Sequence, residues 1–177
     1  MHEDIILEEE RIAGEREADA ERLGAAILRE PISEVIRPRA LVCVAPSATV
    51  REAIECMKEH RVGCVLVQVR GKLVGIFSER DVLSKVVLQG HDIDELTVDH
   101  VMTSDPEVLR MDDKVSFALN KMSVGGFRHI PLVDPEGKPV GVISMRDVVD
   151  FMVDMFAPVV LTLPPEPGHQ PSAREGA

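Results

Sequence analysis

The sequence predicts a mixed α/β chain of the α+β class, built from two β-α-β-β-α repeats that pack together. Three observations lead there. Gly75-Ile-Phe-Ser-Glu-Arg-Asp-Val82 and Gly141-Val-Ile-Ser-Met-Arg-Asp-Val148 agree at five of eight positions, 66 residues apart, and self-similarity at a long fixed period marks a repeated supersecondary unit. Upstream of each octapeptide lies an apolar stripe with helical spacing: Val50, Ala53, Ile54, Met57 in one copy, Val115, Ala118, Leu119, Met122 in the other. The chain has 177 residues, 45% of them apolar, and a repeat of roughly 60 residues is too small to bury a good core alone, so the halves must share one.

Taken in order, residues 1–30 form a charged segment with ten acids and four arginines, a balance of −6 out of the chain's −11. Ile6, Ala13, Ala20 and Ile27 recur every seven residues, but Glu9 and Arg16 occupy the companion positions, a poor coiled-coil seam. A solvated helix with one weakly apolar edge is the reading, with a dimer or partner contact as the alternative. The first repeat is set at 31–90. Leu41 to Val44 is a short strand, Thr49 with Glu52 is a capping-box start, and two strands, Cys64 to Val69 and Leu73 to Phe77, turn through Arg70-Gly71. A second helix opens at Ser78 with Val82, Leu83 and Val86 inward. The second repeat, 91–155, follows the same order: Val108 and Leu109, a helix capped by Asp112 or Asp113, Ile130 to Val133, the turn Asp134-Pro-Glu-Gly137, Pro139 to Ile143, and a helix from Ser144. Residues 156–177 are Pro- and Gly-rich and are expected to be disordered.

Composition excludes several function classes. A net charge of −11 repels phosphate backbones and anionic lipid heads, and a chain without Trp or Tyr has little with which to stack bases. No nucleic-acid or membrane partner is expected. The N-terminus lacks a basic leader and no apolar run approaches 18 residues, so a cytoplasmic location is expected. Cys43, Cys56 and Cys64 form no C-x-x-C and read as small buried hydrophobes in a reducing compartment. The six histidines show no metal-ligand spacing, and no P-loop or nucleophile-base motif suggests an enzyme.

The duplicated Gly-x-x-Ser-x-x-Asp, together with Val98-Asp-His-Val-Met-Thr103 and Arg128-His-Ile-Pro131, resembles a tandem pair of CBS (cystathionine β-synthase) domains over about residues 31–153. The resemblance implies a compact pair related by a pseudo-two-fold axis, with two clefts between the copies that take an adenosine-containing ligand such as AMP, ADP or ATP. It implies a regulatory module without catalysis, often dimeric. Carried over by motif, Asp81 and Asp147 take ribose hydroxyls, Ser78 and Ser144 contact ribose or phosphate, and Arg128 with His129 face the phosphate. Arg37 and Pro38 before the first copy, and Thr103 before the second, contact the base; Pro131, which closes the second copy's signature, is counted among the ligand-binding residues. Arg80 and Arg146 supply local positive charge.

The residues' chemistry is compatible with that transfer. A carboxylate accepts two hydrogen bonds from a ribose diol, and a helix start offers unpaired N–H groups to a phosphate. The plainer alternative is that Ser78-x-x-Asp81 and Ser144-x-x-Asp147 are helix caps, each stabilising by about 1 kcal/mol without a ligand. His129 can equally be a satisfied, partly buried histidine, and Arg80 and Arg146 solvated surface charges. The copies also depart from each other, since Gly63-Cys64 stands where the second copy has Arg128-His129. One tight site per chain is therefore expected, defined by Arg128 and His129, with Asp81 preferred over Asp147 for the ribose. A second functional reading is a dimerisation or partner-interaction scaffold. Met57, Met122, Met152 and Met155 either supply its apolar surface or simply fill the core.

Overall fold

The computed structural model describes residues 24–37 and 39–155. The helix expected over 1–30 lies outside the described residues apart from 24–30, of which 24–27 are helical. The tail at 156–177 and Pro38 also lie outside them.

The first repeat runs through β1 (Cys43–Val44), α2 (Val50–His60), β2 (Cys64–Val69), β3 (Lys72–Ser78) and a single helical turn α3 (Glu79–Asp81), preceded by the short helix α1 (Ile32–Val35). The second contains α4 (Val115–Gly125), β5 (His129–Val133), β6 (Pro139–Ser144) and α5 (Met145–Met155), preceded by β4 (Thr103–Ser104). The antiparallel pairs β2/β3 and β5/β6 match residue for residue, Cys64 opposite Ser78 and His129 opposite Ser144. Each carries a bulge at the same place, Val67/Gln68 and Leu132/Val133. The repeat is thus physical as well as textual.

The two halves are not independent. Ile32 and Val35 of α1, at the start of the first repeat, are buried in the core of the second with Val115, Met122, Ile130 and Ile143. Val98 and Val101, in the opening segment of the second repeat, are buried in the core of the first with Val50, Val65 and Phe77. Strand β4 does likewise: it pairs antiparallel with β3 and completes a four-stranded sheet ordered β1-β2-β3-β4. This close pairing needs Gly75, where a Cβ would lie 3.2 Å from the Thr103 carbonyl oxygen. The third small cluster, Cys64, Leu66 and Ile76, faces Val142 of β6, so β2 is covered on both faces over Cys64–Val67, its apolar run.

This exchange also caps the helices. Thr49 and Glu52 form the expected capping box on α2, and the Val50 and Arg51 N–H groups donate to the carbonyls of Leu96 and Ile93 at 2.9 and 3.0 Å. In the second repeat neither Asp112 nor Asp113 caps α4. Lys114 is its cap residue and gives no side-chain bond; Val115 N–H donates to the Glu30 carbonyl at 3.0 Å instead. Asp113 turns back to accept from Arg110 N–H at 2.8 Å. A carbonyl from the exchanged segment does the work of a side-chain cap.

Two other expectations change. Met57 and Met122 are 4% and 3% exposed and fill the two cores, whereas Met152 and Met155 are 41% and 36% exposed. The helix after Ser78 is irregular: α3 passes into a π-helical turn at Val82–Val86 and a 3₁₀ turn at Val87–Gln89, leaving Leu83 exposed. Ser84 Oγ donates to the Arg80 carbonyl at 2.8 Å, where it competes with the helical N–H bond, a contact that bends helices. Its counterpart α5 carries no such residue and is regular.

Because Ile32 belongs to the second repeat's core, Ile32→Ala should lower stability by about 2–5 kcal/mol through the cavity it leaves. Urea unfolding checks this, and an unchanged midpoint would show that the second core does not depend on α1.

Candidate functional site

The exchange of segments builds two clefts between the repeats, each from both copies. The first cleft, about 1200 Å³, joins residues 37 and 39–42 in front of β1, the end of α2, and the Ser144–Asp150 stretch of the second repeat. The second, about 720 Å³, joins Thr103 and Asp105–Glu107 in front of the second repeat, Ser78–Asp81 of the first, and Gly126–His129. Gly63, Glu79, Arg128 and His129 line both and stand where the clefts meet.

Each cleft contains one Ser–Asp pair in capping geometry. Asp147 Oδ2 accepts from Ser144 N–H at 2.7 Å and from Ser144 Oγ at 2.5 Å, and both residues are buried. Asp81 Oδ2 accepts from Ser78 N–H and Oγ at 2.9 and 2.6 Å. The carboxylates differ in what else they hold. Arg39 donates to Asp147 Oδ2 at 2.5 Å and to the Val142 carbonyl at 3.0 Å, and Asp147 Oδ1 has no partner among the described residues. Asp81 Oδ1 is taken by Lys85 at 2.7 Å, and Lys85 Nζ also donates to the Val101 carbonyl at 2.9 Å. One carboxylate keeps an oxygen for a ligand; the other has both engaged.

Charge separates the clefts more sharply. The first is lined by Arg37, Arg39, Lys58, Arg61, Arg128 and Arg146 against Glu79, Asp147 and Asp150. The second has Arg80 and Arg128 against Glu79, Asp81, Asp105 and Glu107. Arg80 is spent on the Gly126 carbonyl at the end of α4. Arg146 is 85% exposed and lies 3.7 Å from Asp150, and Arg37 pairs with Asp154 at 2.6 Å. Arg128 lines both clefts, so it does not by itself distinguish them. Pro131 is a correction: it is buried in β5 opposite Val142 and lines neither cleft.

His129 begins β5 beside Gly63. A Cβ at Gly63 would lie 2.9 Å from His129 Nε2 and 3.5 Å from Glu79 Oε2, so the imidazole fills the space that the glycine leaves. Burial holds the His129 pKa below the ordinary histidine value, aided by the Arg39 and Arg128 guanidinia and opposed by Glu79 and Asp147. Its neighbour Cys64 is buried and its thiol is pushed up to about 12, chiefly by desolvation, so it stays protonated and is a poor nucleophile. Cys43, Cys56 and Cys64 are all free thiols.

Sequence reasoning missed Lys58, Arg61 and Lys85. All three lie on helices or their caps, where spacing reads them as solvated charges. The one available signal was the comparison of copies, which sets Arg61 against Gly126. Among the described residues no helix is long and apolar enough to cross a membrane.

Paired repeats, exchanged segments and two inter-repeat clefts define a module of the tandem-repeat type. A family model described as CBS domain matches residues 32–88 and again 98–154. The chain belongs to the CBS domain family. It is 34% identical over 125 residues to an uncharacterised 17.7 kDa protein of Acidianus ambivalens, covering 70% of this chain and 74% of that one. A structure with CBS domains from Burkholderia ambifaria matches with TM-score 0.67 at 28% identity, covering 71% of this chain and 95% of that one. A CBS domain protein from Pyrobaculum aerophilum, complexed with AMP, matches with TM-score 0.63 at 28% identity over 72% of this chain and 99% of that one. These matches indicate no catalytic family.

A histidine whose folded pKa is depressed binds its proton more weakly in the folded state than in the unfolded state, so stability rises with pH across its titration. Its contribution is complete above the unfolded value near 6.5 and is lost as pH falls through the lower folded value. His129→Gln should therefore flatten the loss of Tm that the native chain shows on acidification below pH 6.5. Parallel Tm curves for both proteins across that range would contradict the burial of a neutral imidazole.

Proposed function

We propose that the pair is a non-catalytic sensor of energy or metabolite state that binds an adenosine-containing ligand of the AMP, ADP or ATP type in its larger cleft. One observation carries this: a buried carboxylate, Asp147, oriented by Ser144 and Arg39, keeps Oδ1 free on a cleft ringed by cations. Such a group accepts the two hydroxyls of a ribose with charge-assisted bonds. The anionic end of the ligand lies toward the arginines, and Ala40, Leu41 and Val42 offer backbone and apolar contact to the base. The AMP complex of the Pyrobaculum protein supports the ligand class. The smaller cleft, with Asp81 already paired to Lys85 and a net negative lining, is the weaker site.

Asp147→Asn retains an oxygen for the Ser144 cap and removes the charge. It should weaken AMP binding by about 1.5–3 kcal/mol in titration calorimetry, while Asp81→Asn changes it less. Unchanged affinity in Asp147→Asn would leave the carboxylate as a helix cap alone.

The scaffold reading is favoured by a separate observation. Val87 and Leu88 after β3, and Met152 and Val153 on α5, are exposed apolar residues that line neither cleft, and such surface marks an interaction site. A homodimer through these helices accommodates both readings. Light scattering at micromolar concentration should give twice the 19.5 kDa chain mass; the mass of a single chain would remove the dimer.

A further inference from the structure

Four of the first cleft's cations come from the first repeat at positions where the second repeat has none. The strand register sets Val44 against Leu109, so equivalent positions lie 65 residues apart; Arg37 and Arg39 correspond to Met102 and Ser104, and Lys58 and Arg61 to Ser123 and Gly126. Four positions that are neutral in the second copy are basic in the first. Two of the four cations already have acidic partners, Arg37 with Asp154 and Arg39 with Asp147. Lys58 and Arg61 are ion-paired to nothing among the described residues, yet both line the cleft.

Arg61 adds a second kind of observation. It ends α2 in the left-handed region with φ of 54°, and Gly126 ends α4 in the same conformation with φ of 69°. Glycine adopts that conformation freely; a residue with a Cβ does so against a steric penalty. The helix end alone would favour glycine here, as it does in the second copy. A cation can complement the dipole at a helix C-terminus, but α4 ends with no basic residue in its last turn. The second copy thus completes the equivalent helix end without either side chain.

We infer that the first cleft selects nucleotides carrying two or more phosphates, with Lys58 and Arg61 as the specificity residues that receive the phosphate tail. This rests on the proposed adenosine-ligand function of the same cleft. Each further phosphate brings added negative charge, and the end of α2 offers two cations without an ion-pair partner among the described residues to meet it. Arg61 can grip phosphate oxygens in a bidentate manner and Lys58 acts as a point charge. The excess of acids over cations lining the second cleft makes it a poor host for the same tail.

The test is calorimetry on the full chain with adenosine, AMP, ATP and inorganic tripolyphosphate, repeated on Lys58→Ser, Arg61→Gly and the double variant. Arg61→Gly installs the residue that the second repeat carries at this backbone conformation, so it should keep the fold, which a Tm measurement confirms. ATP should bind native chain at least about tenfold more tightly than AMP, the effect of one added charge-assisted contact. The double variant should lose that margin, its ATP affinity falling to the level of its AMP affinity. Equal binding of AMP and ATP by the native chain, or a margin that survives in the double variant, overturns the inference and leaves the adenosine reading standing. Binding of tripolyphosphate without any binding of adenosine or AMP overturns the adenosine reading and retains the phosphate-selective cleft. No binding of any of the four overturns both.

Discussion

Everything in this molecule depends on an exchange of short segments between two half-sized cores. Ile32 and Val35 are buried in a core whose remaining residues come from 109 onward, and Val98 and Val101 are buried in one whose remaining residues come from 44 to 86. Each repeat has too little apolar surface to close by itself, and each is closed by the chain leading into the other. The same segments end the helices' unpaired N–H groups, so the exchange serves packing and hydrogen bonding at once. Because those lead-in segments run on to residues 37–42 and 103–107, they carry the cleft linings with them. The clefts are a geometric result of how the cores are completed.

The Ser–Asp pairs show how one arrangement serves stability and chemistry together. A helix cap uses one carboxylate oxygen, and in both repeats that oxygen is Oδ2. The other remains available, and its fate depends on the neighbour. Lys85 reaches Asp81 from one helical turn away, whereas the corresponding position in the second repeat is Phe151, which cannot form an ion pair. Asp147 is approached by Arg39, which shares the oxygen already used for the cap. A motif repeated with near identity thus yields two carboxylates with different capacity.

The centre of the pair is equally asymmetric. Cys64 and His129 are equivalent residues, and Gly63 and Arg128 precede them. The imidazole occupies the room left by the missing side chain at Gly63, so the two copies could not both carry an arginine-histidine pair without displacing each other. Loss of the dipeptide in the first copy is then a packing requirement of its presence in the second. Charge lost there is regained at the end of α2, which supplies Lys58 and Arg61 to the larger cleft.

From the sequence alone came the repeat, the order of strands and helices, the Thr49 capping box and the buried stripes, because these follow from local spacing and from identity between copies. The family followed from the same residues, as did the Ser–Asp pairs. Local spacing also misled in instructive ways. Asp113 is a good cap residue by type, but a carbonyl from Glu30 reached Val115 first; Met57 and Met122 are as apolar as Met152, but only the fold buries them. Pro131 belongs to a signature, yet strand pairing turns it into the core. Which segment closes which repeat, which carboxylate keeps a free oxygen, and which cleft is basic were decided by tertiary structure. Each of these is a contact between residues up to about a hundred positions apart, such as Arg39 with Asp147, separated by 108. Periodicity carries no information at that range, since it reports the face a residue takes within its own element and says nothing of the element that faces it.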